Sequence, residues 1–366
     1  MKRLTIFNLI CLVLAAFIFL LKGDDQSTNL AGVGLVVNKA WLVENKNVQT
    51  PEPDKRPADQ TFLTYPEWFL VFSPVEQADY YQSHTSTTFP IIKHIHQVWD
   101  GYEVVSDQIE EDFEYNDDYH TMIKVISIST TIEYGLKAWY EKIVGRVTDT
   151  HPHEALTEED QFNGKFTRDY SNFLGAQPWY EFDFTSRLIS LWTETSFFGP
   201  HLMRKAERRY FLTTELLCKI AYAKLIKMGT QSMYEKPVLT TVIVLDKSPE
   251  GIKGDSAIEE IGKTEGGDTI VRVPRYAEFT PAAVQLAKAG LSFKEIAGNN
   301  SAILLTVLTP QEYKFKDETV QVIFEQLITT KENQKRVAVV TTVPHLSALL
   351  VQLVDNNITI EHIYDY

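Results

Sequence analysis

Positive charge is scarce in this chain, cysteine is almost missing, and no common catalytic signature is present. Lys plus Arg total 35 against 49 Asp plus Glu, a formal charge of −14 over 366 residues. Neutralising nucleic-acid phosphates takes an excess of cations, so nucleic acid is excluded as an expected partner. Of the two cysteines, Cys11 lies in an apolar run and Cys218 in an expected helix, which leaves no disulfide framework. There is no G-x-x-x-x-G-K-[ST] loop, no G-x-S-x-G elbow, no H-E-x-x-H and no zinc-spaced cysteine pair. No metal and no cofactor are therefore expected.

What is present begins with an apolar run, Leu4 to Leu21, broken only by Thr5 and Asn8 and preceded by Lys2 and Arg3. Eighteen residues at about 1.5 Å each nearly cross a hydrocarbon core of about 30 Å. "LLKGDD" offers no small-x-small cleavage site, so residues 1–22 are expected to be an uncleaved transmembrane anchor. The cations before the run and the two aspartates after it place the N-terminus in the cytoplasm and the bulk of the chain outside. The expected location is a bacterial inner membrane, single-pass, with residues 22–366 in the periplasm.

Residues 23–60 then read as a stalk, "ENKNVQTPEPDKRPADQ" carrying three prolines and almost nothing apolar. The apolar content of 44% provides for two ordinary domains beyond it. Residues 61–235 predict a mainly helical domain. "TYPE" from Thr64 and "SPVE" from Ser73 match the capping box and predict two short helices. A third start at Thr157 leads through Phe162, Phe166, Tyr170 and Phe173 to a C-capping Gly175. Residues 121–144 and 201–228 read as long helices. The His-x-His of "PIIKHIHQVW" sits on a helical apolar pattern (Ile91, Ile92, Ile95, Val98, Trp99), so His94 and His96 lie about 200° apart and cannot share an ion. Both are expected at the helix surface.

After Lys236 the character changes. "VLTTVIVLD" is strand-like, and residues 247–268 with five glycines read as an exposed linker. "TIVRVP", "LSFKEI" and "AILLTVL" predict strands, "TPAAVQLAKAG" and "HLSALLVQLVDNN" helices, and "VQVIFEQLI" with "RVAVVTTV" a hairpin. The fold class expected is α+β, with residues 236–366 forming a ferredoxin-like βαβ sandwich whose helices cover one face of a mixed sheet.

"VPHLSALLVQLVDNNITIEHIYDY" resembles the helix–strand portion of ACT domains, ferredoxin-like modules that bind amino acids. His345 stands where those modules have the glycine that admits a ligand, so the resemblance implies the fold and not the ligand. "FLTYPEWFLVF", "PWYEFDFTSRL" and "WTETSFFGPHLMRKAERR" resemble a family of bacterial single-pass membrane-anchored proteins to which no activity attaches.

Two function classes follow. One is a membrane-tethered extracytoplasmic binding or scaffold protein, its partner a protein or a small ligand beside the membrane. The other is a metal- or carboxylate-dependent hydrolase. If "PWYEFDF" is extended, Glu181 and Asp183 share one face, and Glu194 and Glu133 sit among aromatic neighbours that raise a carboxyl pKa. Residues 103–118 hold eight acids but no calcium-loop spacing and read as a solvated face. In residues 202–228 a helical wheel puts Leu202, Met203, Ala206, Tyr210, Leu217, Ile220, Ala221 and Met228 on one half, and Arg204, Lys205, Arg208, Arg209 and Lys219 on the other. Two orientations are open. The cations face an anionic membrane surface, or the apolar half packs inward and the cations pair with surplus acids.

Overall fold

The computed structural model describes residues 37–42, 47–56, 60–111, 113–150, 156–230, 239–249 and 258–364. The expected anchor over residues 1–22 lies outside them. Among the described residues no helix is long and apolar enough to cross a membrane. The chain is a mixed helix-and-sheet protein with two antiparallel sheets.

The helical part begins with α1 (Gln60–Tyr80) and α2 (Ile91–Asp107). It continues with α3 (Asp117–Tyr140), α4 (Glu158–Leu174), α5 (Phe184–Glu194) and α6 (Leu202–Thr230). The two short helices expected at Thr64 and Ser73 are one continuous α1, with Pro66 and Pro74 inside it. An interior proline costs about 3 kcal/mol. Burial of Phe62, Leu63, Tyr65, Phe69 and Phe72, each contributing about 1.5–3 kcal/mol, outweighs both. Neither cap is needed, and the Ser73 hydroxyl turns instead to the His94 ring, 2.9 Å away. The start at Thr157 is a true capping box, Thr157 and Asp160 bonding reciprocally. Helix α3 does not stop at Tyr140. It passes through one π-turn, Glu141–Gly145, into a last turn, Arg146–Thr148.

The C-terminal part is not one mixed sheet but two four-stranded antiparallel ones of the same topology. The first holds β1 (Thr240–Leu245), β2 (Glu259–Lys263), β3 (Thr269–Pro274) and β4 (Phe293–Ile296), with α7 (Phe279–Lys288) between β3 and β4. The second holds β5 (Ala302–Pro310), β6 (Gln321–Leu327), β7 (Gln334–Thr342) and β8 (Thr359–Ile363), with α8 (Val343–Asp355) before β8. Strand orders are β2-β3-β1-β4 and β6-β7-β5-β8, so each sheet repeats the other strand for strand. Residues 259–268, expected as linker, are the edge strand β2 and the turn into β3. An edge strand buries little, which is why "EEIGK" carries no apolar alternation.

Helix α7 touches β3 and β8, while α8 touches β4, β7 and β8. The exchange is reciprocal in its bonds: the Ile363 amide on β8 donates to Thr280 on α7, and the Phe293 amide on β4 donates to Ser347 on α8. One core therefore serves both sheets, including Ile243, Val271, Leu286, Leu305, Val339 and Leu350. The opposite face of the second sheet packs on the helical part, joining Leu304, Phe324, Val340 and Tyr364 to Phe62, Tyr65 and Phe69.

The described residues of the expected stalk do not stand free. Val37, Leu42 and Thr50 are buried. The Val37 amide donates to Gln108 at the end of α2, the Asn38 amide to Gln321 on β6, and the Gln49 and Thr50 amides to the Glu295 carboxylate on β4. Residues 37–42 and 47–56 thus form a strap across both sheets. Its polar backbone finds side-chain acceptors on α2, β4 and β6 that local sequence does not reveal.

Candidate functional site

The four candidate carboxylates do not converge. "PWYEFDF" is not extended: Trp179–Glu181 is a 3-10 turn, and Asp183 is the N-cap of α5, accepting from the Ser186 amide at 3.0 Å. That bond and the Ser186 hydroxyl hold the Asp183 carboxyl below its usual pKa. Glu181 and Asp183 do line one hollow of about 300 Å³ with Phe173, Phe182 and Arg187, but Glu181 is tied to Lys227 at 2.9 Å. Glu194 lies exposed at the other end of α5, and Glu133 is on α3, paired with Lys219 at 2.8 Å. Burial pulls the Glu133 pKa up, yet Lys219 and Lys137 outweigh it and leave it lowered. Among the described residues no group of three metal-ligating side chains forms.

The charged constellation that does form lies inside the helical part, where the cations of α6 were expected at a surface. Arg208 is 0% exposed and Arg204, Lys205 and Arg209 are buried beside it. Arg208 reaches Glu141 at 2.6 Å, Ser86 at 2.7 Å and Glu207 at 2.7 Å, and stacks over the Phe211 ring at 4.9 Å. Arg204 bonds Asp160 at 2.7 Å, Lys205 meets Glu159 at 3.0 Å, and Arg209 bonds Glu159 at 2.5 Å. Along the α3–α6 seam Lys137 pairs with Glu215 and Lys219 with Glu133. Burial opposes the Lys219 charge, and Glu133 beside it more than restores it, so its pKa stands above the usual lysine value.

The π-turn explains how Glu141 gets in. A wider turn at Glu141–Gly145 carries its carboxylate to Arg208, and Gly145 leaves it room, since a Cβ there would sit 2.2 Å from Glu141 Oε2 and 2.9 Å from Thr87 Cγ2. Glu207 is legible as an acid among the α6 cations, but nothing in the sequence marks Glu141, Glu159 and Asp160 as their partners. Three sit among helix-start or helix-surface patterns, and nothing in the spacing marks a π-turn.

With the cations inward, the apolar half of α6 faces out. Met203 is 70% exposed and Met228 69%, with Tyr210, Leu217, Tyr222 and Leu225 between them also exposed. Helix α3 carries a parallel stripe of Met122, Val125, Ile128, Ile132, Leu136, Trp139, Ile143 and Val147, all exposed. On the other flank of α6, Trp192 of α5 donates to Thr213, and Ile189 and Trp192 are exposed; the loop after α5 adds Phe197 and Phe198, the latter 77% exposed. The layer α3–α6–α5 is thus charged within and apolar without, the reverse of a surface helix on a water-facing domain.

A second ionic knot ties the helical part to the second sheet. Arg336 on β7 is buried and bonds Glu361 with two nitrogens, at 2.6 and 2.7 Å, Glu76 of α1 at 2.8 Å and Gln326 at 2.9 Å. His94, expected at the surface, is buried there, with Nδ1 on Ser73 and Nε2 3.2 Å from Thr329. Burial, then the Arg336 charge, pushes its pKa down to about 3. The ring is therefore neutral, and its 3.5 Å approach to Glu76 is not an ion pair. His362 is buried too, stacked 3.6 Å from Trp68, and burial lowers its pKa to about 3. His96, on the same helix, stays part-exposed.

Comparison with family models, with curated proteins and with solved structures returns no match. The site rests on its own geometry.

Proposed function

We propose that the chain is a membrane-tethered extracytoplasmic binding or scaffold protein, anchored by residues 4–21 and working through the outward face of α3, α6 and α5. The observation that carries this reading is the inverted layer: five basic side chains of α6 are held inward by acids while the apolar half of the same helix meets the surroundings. Contiguous exposed apolar surface beyond a few hundred Å² marks an interaction site on a folded domain. On this reading each half of the C-terminal unit is a ferredoxin-like module, the second with a loop in place of its first helix, and the pair forms the rigid base of the layer. The carboxylate-hydrolase reading draws little support from the geometry, since Glu181 and Asp183 share a hollow but are held by Lys227 and Ser186, and Glu194 lies at the far end of α5.

The test is protease access in a bacterial host making the full chain with a C-terminal tag. Protease added to spheroplasts should remove the tag and most of the protein while leaving cytoplasmic markers intact. Digestion that occurs only after permeabilisation would reverse the orientation and sink the reading.

A further inference from the structure

We infer that the outward face of α3 and α6, with the Phe197–Phe198 loop, lies on the lipid bilayer itself, at the boundary of headgroups and acyl chains. This rests on the tethered reading above and names the partner of its face.

Four occupants compete: water, the apolar segment 4–21, a second copy of the chain, and the bilayer. Water is disfavoured by the extent of the apolar face. The segment 4–21 is too small for it. As a helix it would be about 27 Å long, whereas the α3 stripe from Met122 to Val147 alone runs about 38 Å and has the α6 stripe beside it.

The bilayer is favoured over a second copy by three observations. First, the tether is short. The strap holds Val37 against the α2–α3 turn, beside the first turn of α3, so only residues 22–36 separate the apolar run from the start of the stripe. Fifteen residues span at most about 50 Å, which keeps this face within reach of the membrane at all times.

Second, the edge of α3 away from α6 carries exposed Lys124, Lys142 and Arg146. Long basic side chains at the rim of an apolar helix face place their stems in the interface and their charges at the phosphates. Third, the exposed aromatics Trp139, Trp192, Tyr210 and Tyr222 have the amphipathic rings that settle at headgroup depth. Arg204, Lys205, Arg208 and Arg209 take no part, being buried, and the exposed Lys224 of α6 adds to the rim cations, so the attraction is chiefly apolar. Docking should therefore depend only weakly on salt and should not require anionic lipid.

The experiment uses the full chain reconstituted into phosphatidylcholine vesicles whose acyl chains carry bromine, a contact quencher of tryptophan. Trp139 and Trp192 face outward, whereas Trp41, Trp68, Trp99 and Trp179 are half-buried. The bromolipid should quench the native chain at low and at high salt, and the double variant Trp139→Phe, Trp192→Phe should lose most of that quenching. A second readout does not depend on tryptophan. In a Cys11→Ser chain, an environment-sensitive dye on the exposed Cys218 of α6 should shift to the blue in vesicles.

A chain that floats with vesicles yet shows neither signal, and remains open to aqueous iodide, overturns the proposal while leaving the tether standing. Protection from iodide without bromolipid quenching also overturns it, in favour of a second copy. Quenching in a chain that alkaline carbonate strips from the vesicles supports the docking face and overturns the tether. Failure to float overturns both.

Discussion

Gly290 and Asn357 hold the same position in the two halves of the C-terminal unit. Each follows a helix, α7 or α8, in the left-handed region (φ 76° and 56°), and each passes the chain to an amide that bonds back five residues, Leu291 to Leu286 and Ile358 to Leu353. Glycine takes that conformation freely and asparagine nearly so. A Cβ at Gly290 would meet nothing within 4 Å, so the cost of Gly290→Ala is conformational alone. Urea unfolding of the full chain in mild detergent should show a loss of about 1 kcal/mol for Gly290→Ala and no loss for Asn357→Gly. Equal losses in both would dissolve the equivalence.

The ionic core makes the next expectation. Removing Arg208 strands Glu141 and Glu207 away from water, and breaking one side of a buried pair costs about 3–5 kcal/mol. Arg208→Met should therefore be poorly stable by thermal unfolding, and Arg208→Met with Glu141→Gln and Glu207→Gln should regain much of the loss. A single variant as stable as the parent would show that these groups are not the interior network described.

Acid should weaken the fold before the carboxylates titrate. His94 and His362 are neutral when buried, with pKa values of about 3, and return to an ordinary value of 6.5 on unfolding. The unfolded chain then binds more protons below pH 6.5, so the stability they contribute is complete above that value and lost as pH falls toward 3. Each should contribute a slope of about 1.4 kcal/mol per pH unit in that window. Denaturation midpoints between pH 7.5 and 5 measure it. His94→Gln should flatten the slope, whatever it does to stability at neutral pH; an unchanged slope would mean the ring is protonated in the fold.

The second stretch of the strap turns on one carboxylate. Glu295 receives the Gln49 amide at 2.7 Å and the Thr50 amide and hydroxyl at 2.9 and 2.8 Å. Glu295→Ala should release residues 47–56, and limited proteolysis should then cut there before it cuts the helices. Persistence of the protected strap would place its hold elsewhere, at Arg56 to Ala297 or Val37 to Gln108.

Much of this architecture was legible in the sequence, and the failures share a cause. The α6 wheel sorted its residues into the right halves, but periodicity reports only that two faces differ and says nothing about which one meets the interior. The acids that decide the matter come from α3, α4 and α6, brought together by tertiary packing. The capping boxes of α1 were real patterns overruled by the aromatic core around Phe62 and Phe69. The repeat went unseen because its markers are sparse. "GLSFKEI" and "NITIEHI" match in backbone and in buried positions, but share few letters, with Glu295 standing where the second half has His362. Of the candidate carboxylates only Glu181 and Asp183 share a hollow, because Asp183 caps α5 next to the turn that carries Glu181, and aromatic content alone does not tell such a helix start from a strand.

The bonds that close α1 reach very far along the chain. The Thr61 hydroxyl donates to the Tyr364 carbonyl, 303 residues away, and accepts from the Leu304 amide. At roughly 5–20 residues per second, a ribosome needs about 15–60 s to pass from one partner to the other. For most of that interval Phe62, Leu63, Tyr65 and Phe69 lack the strands that cover them, and the cover is complete only with Tyr364. That face of α1 therefore stays incompletely covered until β8 is made, and a chain stopped after α8 should expose part of it to solvent.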